Sequence, residues 1–204
     1  MDTTTLPSKH SINRGPFRLV LLLIPLALAC FTLALTTRAV SPPPDGGYPN
    51  QNTAEGEDAL FRLTTGVANT AIGNQALFSD TTGNFNTALG SQTLSRNRIG
   101  FRNTAVGSNA LFGNTAGCCN TAVGIDALEN NTVGGANTAV GEAAMGENTI
   151  GSYNTAIGDY ALFGNTSGVA NTAVGTNALA HNTSGGTNTA NGQYALYLNT
   201  IGQR

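Results

Sequence analysis

The sequence predicts a mainly β protein: a parallel β-solenoid, or β-roll, of nine 17-residue coils at residues 52–204, behind an N-terminal apolar helix and a short spacer. Three observations predict it. The phrase Asn-Thr-Ala-x-Gly, or a close variant of it, starts at Asn52, Asn69, Asn86, Asn103, Asn120, Asn137, Asn154, Asn171 and Asn188, a constant step with no insertion. Counting from the first Asn, positions 5 and 15 are Gly in all nine units. Apolar residues also recur in fixed columns, although only 10% of the chain is charged. A short fixed period of this kind marks a solenoid, in which each unit buries its apolar side only by stacking on its neighbours.

The N-terminus is a different kind of text. Lys9, Arg14 and Arg18 precede the apolar run Leu19–Leu35. A basic stretch before such a run is the pattern of a secretory signal. Thr37-Arg38-Ala39 places small residues at −3 and −1, so cleavage is expected after Ala39, leaving Val40 first. The competing reading is a retained single-span anchor, because the run approaches the shortest membrane helix; Pro25 opposes a straight one. Cys30 would suit lipid attachment, but the apolar run continues through Phe31–Leu35 beyond it. Residues 1–39 therefore read as signal peptide or anchor. Residues 40–51, with three consecutive prolines and Asp45-Gly46-Gly47, read as an extended spacer with a turn.

Within the repeat each column has an expected role. Glycines at 5 and 15 suggest corners that need positive φ or close backbone approach. Position 4 is Ile72, Leu89, Val106, Val123, Val140, Ile157 and Val174, and position 9 is Leu except for Met145. These two columns are expected to form the apolar core. Alanine at 3 and 8, with Thr93 the exception, implies tight packing. The first five residues read as a strand in which positions 2 and 4 share a face. Positions 6–11 admit either a short helical turn, favoured by the Ala and Leu columns, or a second strand, favoured by Thr at 13 and by Thr, Ile or Val at 14. Asparagines at 1 and 12 suit amide ladders along the axis or local turn closure. Glu55 and Asn191, the polar residues at position 4, mark the first and last units as the ends of the stack.

The core of each coil is thin against the entropy of ordering the whole coil, which favours lateral association. Position 10 offers a candidate oligomer face: Phe61, Phe78, Phe112, Phe163 and Tyr197. The alternative is that these rings pack inside the coil. Cys118 and Cys119, adjacent at positions 16 and 17, are candidates for an interchain or vicinal disulfide.

The phrases Asn69–Gly73 (NTAIG), Asn154–Gly158 (NTAIG) and Asn120–Gly124 (NTAVG) resemble the head repeats of trimeric autotransporter adhesins and similar repeats of phage tail fibres. The likeness covers residues 52–204, although the adhesin unit is usually shorter. It implies a parallel β-roll assembled as a homotrimer, used as an extracellular adhesive or spacing rod. The sequence departs from the family in showing no heptad stalk, no C-terminal barrel segment and no C-terminal chaperone domain.

No catalytic set is visible, so the expectation is a protein that is not an enzyme and uses no cofactor or metal. His181, at the variable position 11, reads as a turn residue. Asp45, Glu55, Glu57 and Asp58 cluster without calcium-ligand spacing. Arg96, Arg98 and Arg102 form the one basic spot, read as a solvated turn that pairs with nearby Asp80, with a binding patch as the alternative. From Val40 onward five arginines stand against ten acids, which disfavours nucleic acid. The N-x-S/T sequons at Asn130, Asn165 and Asn182 arise from the repeat itself. The functional expectation is a secreted or cell-surface, adhesin-like or spacer protein that meets an extracellular protein or glycan target. The membrane is a partner only through the uncleaved N-terminal segment. The alternative is a solenoid that binds ice or another ordered surface. Its weakness is that the two threonine columns lie on different segments and no Thr-x-Thr pair recurs.

Overall fold

The computed structural model describes residues 48–202. The signal or anchor reading of Leu19–Leu35, the cleavage at Ala39, and residues Cys30, Asp45 and Arg204 lie outside the described residues. The described chain is a parallel β-solenoid with almost no helix. Each coil contributes one three-residue strand: β1 Thr53–Glu55, β2 Thr70–Ile72, β3 Thr87–Leu89, β4 Thr104–Val106, β5 Thr121–Val123, β6 Thr138–Val140, β7 Thr155–Ile157, β8 Thr172–Val174 and β9 Thr189–Asn191. The strands form one sheet in chain order. Each pairs in parallel with the next, one repeat apart, Thr on Thr and Ala on Ala, as in Thr121↔Thr138 and Ala122↔Ala139.

The sheet corrects the expected core. Position 3, not position 4, points inward. Ala71, Ala88, Ala105, Ala122, Ala139, Ala156 and Ala173 are fully buried, together with the alanines at 8 and the Leu or Met at 9 in the same coils. The aliphatic residues at position 4 stand outside: Ile72 is 38% exposed, Leu89 45% and Ile157 43%. The physical reason is the two-residue period. Successive side chains of a strand alternate faces, so position 4 must follow Thr at 2 to one side while Ala at 3 takes the other. The interior behind the strand holds only a methyl group there, in the same core as the Leu column. Thr93, the one departure from Ala at position 8, is also buried, and its hydroxyl donates to the Gly107 carbonyl at 2.7 Å.

Positions 6–11 are neither helix nor second strand, which corrects both expectations for that segment. In the fifth coil Asp126 has φ 57° and Leu128 φ 54°, and the same two positions are left-handed in every coil. This alternation aims successive N–H groups up and down the solenoid axis. Asp126 N–H donates to Ser108 O in the coil before, and Leu128 N–H donates to Ala144 O in the coil after, both at 3.0 Å. A helix would need those donors within its own turn. Left-handed backbone costs a non-glycine residue roughly 1–2 kcal/mol, offset here by leucine burial and the bonds between coils.

The two glycine columns have different causes. Position 5 is left-handed throughout, with φ +138° at Gly124, and a Cβ there would come within 2.7 Å of the Gly141 carbonyl carbon. Position 15 is not left-handed but is crowded: a Cβ on Gly100 would lie 2.6 Å from Gly117 O. At the N-terminal end, Tyr48 bridges to Asn52 in antiparallel fashion, and Ala68 N–H donates to Asn50 O at 2.9 Å. Residues 48–51 therefore fold against the first coil.

Candidate functional site: the outer face of the sheet

Two asparagine ladders hold the coils in register and so keep the sheet regular. At position 1 the side chains are buried. Asn120 Oδ1 accepts the Asn137 N–H at 3.0 Å and the Asn137 amide at 3.2 Å, while Asn120 Nδ2 donates to Gly134 O of its own coil at 2.9 Å. Each amide thus both closes its coil and joins the next. At position 12 the same logic runs through Asn97, Asn114, Asn131, Asn148, Asn165, Asn182 and Asn199, with links such as Asn131 Nδ2 to Asn114 Oδ1 at 2.8 Å.

This frame presents the face formed by positions 2 and 4. One rank is threonine, from Thr53 to Thr189; the other is aliphatic, from Ile72 to Val174. Both repeat at the strand spacing of about 4.8 Å. The only charge in the two ranks is Glu55, in the first strand. The threonines at position 13 differ from those at position 2, because their hydroxyls are engaged between coils. Thr132 Oγ1, for example, donates to Thr149 O at 2.9 Å. The outer sheet face is therefore regular, almost uncharged and partly apolar. Sequence reasoning missed it by counting position 4 as core.

The aromatic column at position 10 also lies outside the coil. Phe61 is 62% exposed, and Phe78, Phe112, Phe163 and Tyr197 are half-buried. Phe61 and Phe78 stack at 5.4 Å with their planes 3° apart. Arg62 lies over Phe78 at 5.1 Å, and Arg96 over Phe112 at 4.6 Å. Tyr197 packs edge-on against His181 at 4.6 Å and Tyr194 at 5.2 Å. Ser95, Glu129, Gly146 and Ala180 interrupt the column.

Cys118 is half-buried, Cys119 is exposed, and both are free thiols. Burial pushes the Cys118 thiol up, the adjacent Cys119 adds to this, and Arg102 offsets part of it. Among the described residues no three His, Cys, Asp or Glu side chains converge as metal ligands. Arg96, Arg98 and Arg102 are exposed, but Asp80 is not their surface partner. It occupies position 12, fully buried, where Oδ1 accepts the Gly83 N–H at 3.1 Å and the Asn97 amide at 3.0 Å. Its Oδ2 has no hydrogen-bond partner. Burial pushes this carboxyl up to about 7, against the lowering effect of its bonds to Gly83, Asn97 and Thr81.

Comparison with protein-family models, curated proteins and solved structures finds no match.

Proposed function

We propose that the chain is an exported, non-enzymatic rod that self-associates along the outer face of its sheet and serves as an adhesin-like or spacing element at the cell surface. The observation that carries this reading is the uninterrupted aliphatic rank from Ile72 to Val174, in register and open to solvent. Soluble chains seldom leave so continuous an apolar stripe uncovered. Nine strands at ~4.8 Å give a sheet about 43 Å long. Completing the burial of the half-exposed aliphatic side chains from Ile72 to Val174 contributes on the order of 1 kcal/mol each. The sum is comparable with the roughly 4–15 kcal/mol lost on association. Packing three such faces around one axis fits the resemblance to trimeric adhesin heads, which supplies the number three. The aromatic column, broken four times, is the weaker candidate for the joining surface and the better one for contact with an extracellular target. Export rests on the N-terminal basic-plus-apolar pattern.

The test is the pair Val123→Asp and Val140→Asp in one chain. Both side chains stand outside, so each coil should keep its fold by circular dichroism while the assembly falls to single chains. An oligomer that survives the pair refutes the face.

A second reading is favoured by the threonine rank. It lies on the outer face at a regular step, unlike the engaged hydroxyls at position 13, and would suit ice or another ordered lattice. Thermal hysteresis in the purified protein supports this reading; growth of ice crystals unaltered by the protein removes it.

A further inference from the structure

The asparagine ladder at position 12 has one member that is not an amide. Asp80 stands where seven later coils carry Asn. In coils three to eight the amide Nδ2 at this position donates to the position-15 carbonyl of its own coil, as Asn97 does to Gly100 O and Asn114 to Gly117 O, both at 3.1 Å. Asp80 has oxygen in that place. As a carboxylate it would set Oδ2, buried and with no donor of its own, against the Gly83 carbonyl, which already accepts the Asn69 amide at 2.8 Å. As the neutral acid it gains the missing donor, and Oδ2–H can serve the acceptor that the amide serves in other coils.

We propose that Asp80 is held as a neutral carboxylic acid and that its ionisation, releasing the proton to solvent, unlatches the first coil from the second. The surroundings favour this. On one side of Asp80 the first coil presents Leu63, which packs against the core, and Gly66. On the other side the third coil presents Asn97 and Gly100. None of these can pair with an anion as a counter-charge. Arg62, Arg96 and Arg98 are exposed. The first coil also carries Glu55 and Glu57, exposed, and Asp58, half-buried, while Tyr48 packs against its end. Among the described residues the first coil is terminal: one neighbouring coil holds it, together with residues 48–51, which reach it through Ala68 N–H to Asn50 O and Asn52 Nδ2 to Pro49 O. Its bonds to the second coil include Thr53 N–H to Asn69 O, Leu60 N–H to Ala76 O, Arg62 N–H to Phe78 O and Thr64 N–H to Thr81 O.

The sign follows from proton linkage. A carboxyl whose folded pKa is raised binds more protons folded than open, so the latch is fully closed below the ordinary carboxyl range. It weakens as pH rises towards about 7, the value to which burial pushes Asp80, and is level above that. If the opened coil restores ordinary acidity, opening should rise roughly fiftyfold between about pH 5 and pH 7.

The experiment is amide hydrogen exchange on the full chain, corrected for intrinsic rates, with Asp80→Asn alongside. The expected result is that Thr53, Leu60 and Arg62 lose protection by more than tenfold from pH 5 to pH 7, whereas Thr121 and Leu128 in the fifth coil do not. Asp80→Asn should hold the first coil closed and level across that range. A second measurement needs no variant: the Asp80 carboxyl carbon, followed by NMR, should titrate near neutrality. Titration in the ordinary carboxyl range overturns the proposal. So does first-coil protection that is level with pH in the unmodified chain, or a pH dependence that persists in Asp80→Asn and so belongs to Glu55, Glu57, Asp58 or Tyr48.

Discussion

Asn120→Ala in the fifth coil probes the device that holds the stack in register. The side chain is buried and engaged on both sides. Truncation leaves the buried Asn137 N–H without the oxygen that accepts it at 3.0 Å; Gly134 O loses the Asn120 amide at 2.9 Å but keeps the Asn131 amide at 3.0 Å. Asn103 Oδ1 loses the Asn120 amide at 3.2 Å but keeps the Asn120 N–H at 3.0 Å. One buried group, the Asn137 N–H, is thus orphaned at a cost of roughly 1–3 kcal/mol, and the two acceptors that keep a second donor each lose a bond worth roughly 0.5–1.5 kcal/mol. The expected loss is about 2–4 kcal/mol, a sizeable share of the margin by which domains are commonly stable. The assay is urea unfolding followed by circular dichroism, with Asn177→Ser as the control at a half-buried turn. The control should cost under about 1 kcal/mol. Equal losses at Asn120 and Asn177 would refute the reasoning, because the ladder would then carry no more than a turn does.

Further outcomes separate the inside of the coil from its outside. Ala122→Leu adds volume where there is none and should destabilise by about 1–3 kcal/mol or more, while Val123→Ser, its neighbour on the other face, should cost the folded coil under about 1 kcal/mol; thermal melts of the two variants decide. Leu128→Asp places an unpaired charge in the buried column and should fragment the stack, visible as rapid proteolysis near the fifth coil. Mild oxidation should give covalent dimers or trimers on non-reducing gels that Cys119→Ser abolishes; chains that stay single would exclude a bridge between chains. Protein recovered from outside the cell should begin at Val40, and an intact Leu19–Leu35 segment in the membrane fraction would favour the anchor.

Much of the fold was legible because it is periodic. The constant step from Asn52 to Asn188 sets the coil number, the parallel register and the two glycine columns. Position 4 misleads because aliphatic character suggests burial. The constancy of Ala at position 3 is the better signal, since only a place with no room holds so small a residue through nine coils. Positions 6–11 are opaque for a different reason. Leu128 and its equivalents are left-handed, against the preference of leucine, so neither helix nor strand propensity describes them; the bonds between coils override it. Asp80 is easily misplaced because one oxygen for one nitrogen hardly alters the repeat, although it stands in the asparagine column. The outer face has no signature of its own until the strand's inward side is known.

The claim that joins fold to function is that the coils meet other copies through their exposed aliphatic rank. Multi-angle light scattering on the purified solenoid at micromolar concentration measures this without any substitution. The account predicts a particle of three chain masses that melts as one unit. A stable, cooperatively melting single chain would contradict it, and would mean that the alanine and leucine interior suffices alone and that the aliphatic rank stays in water.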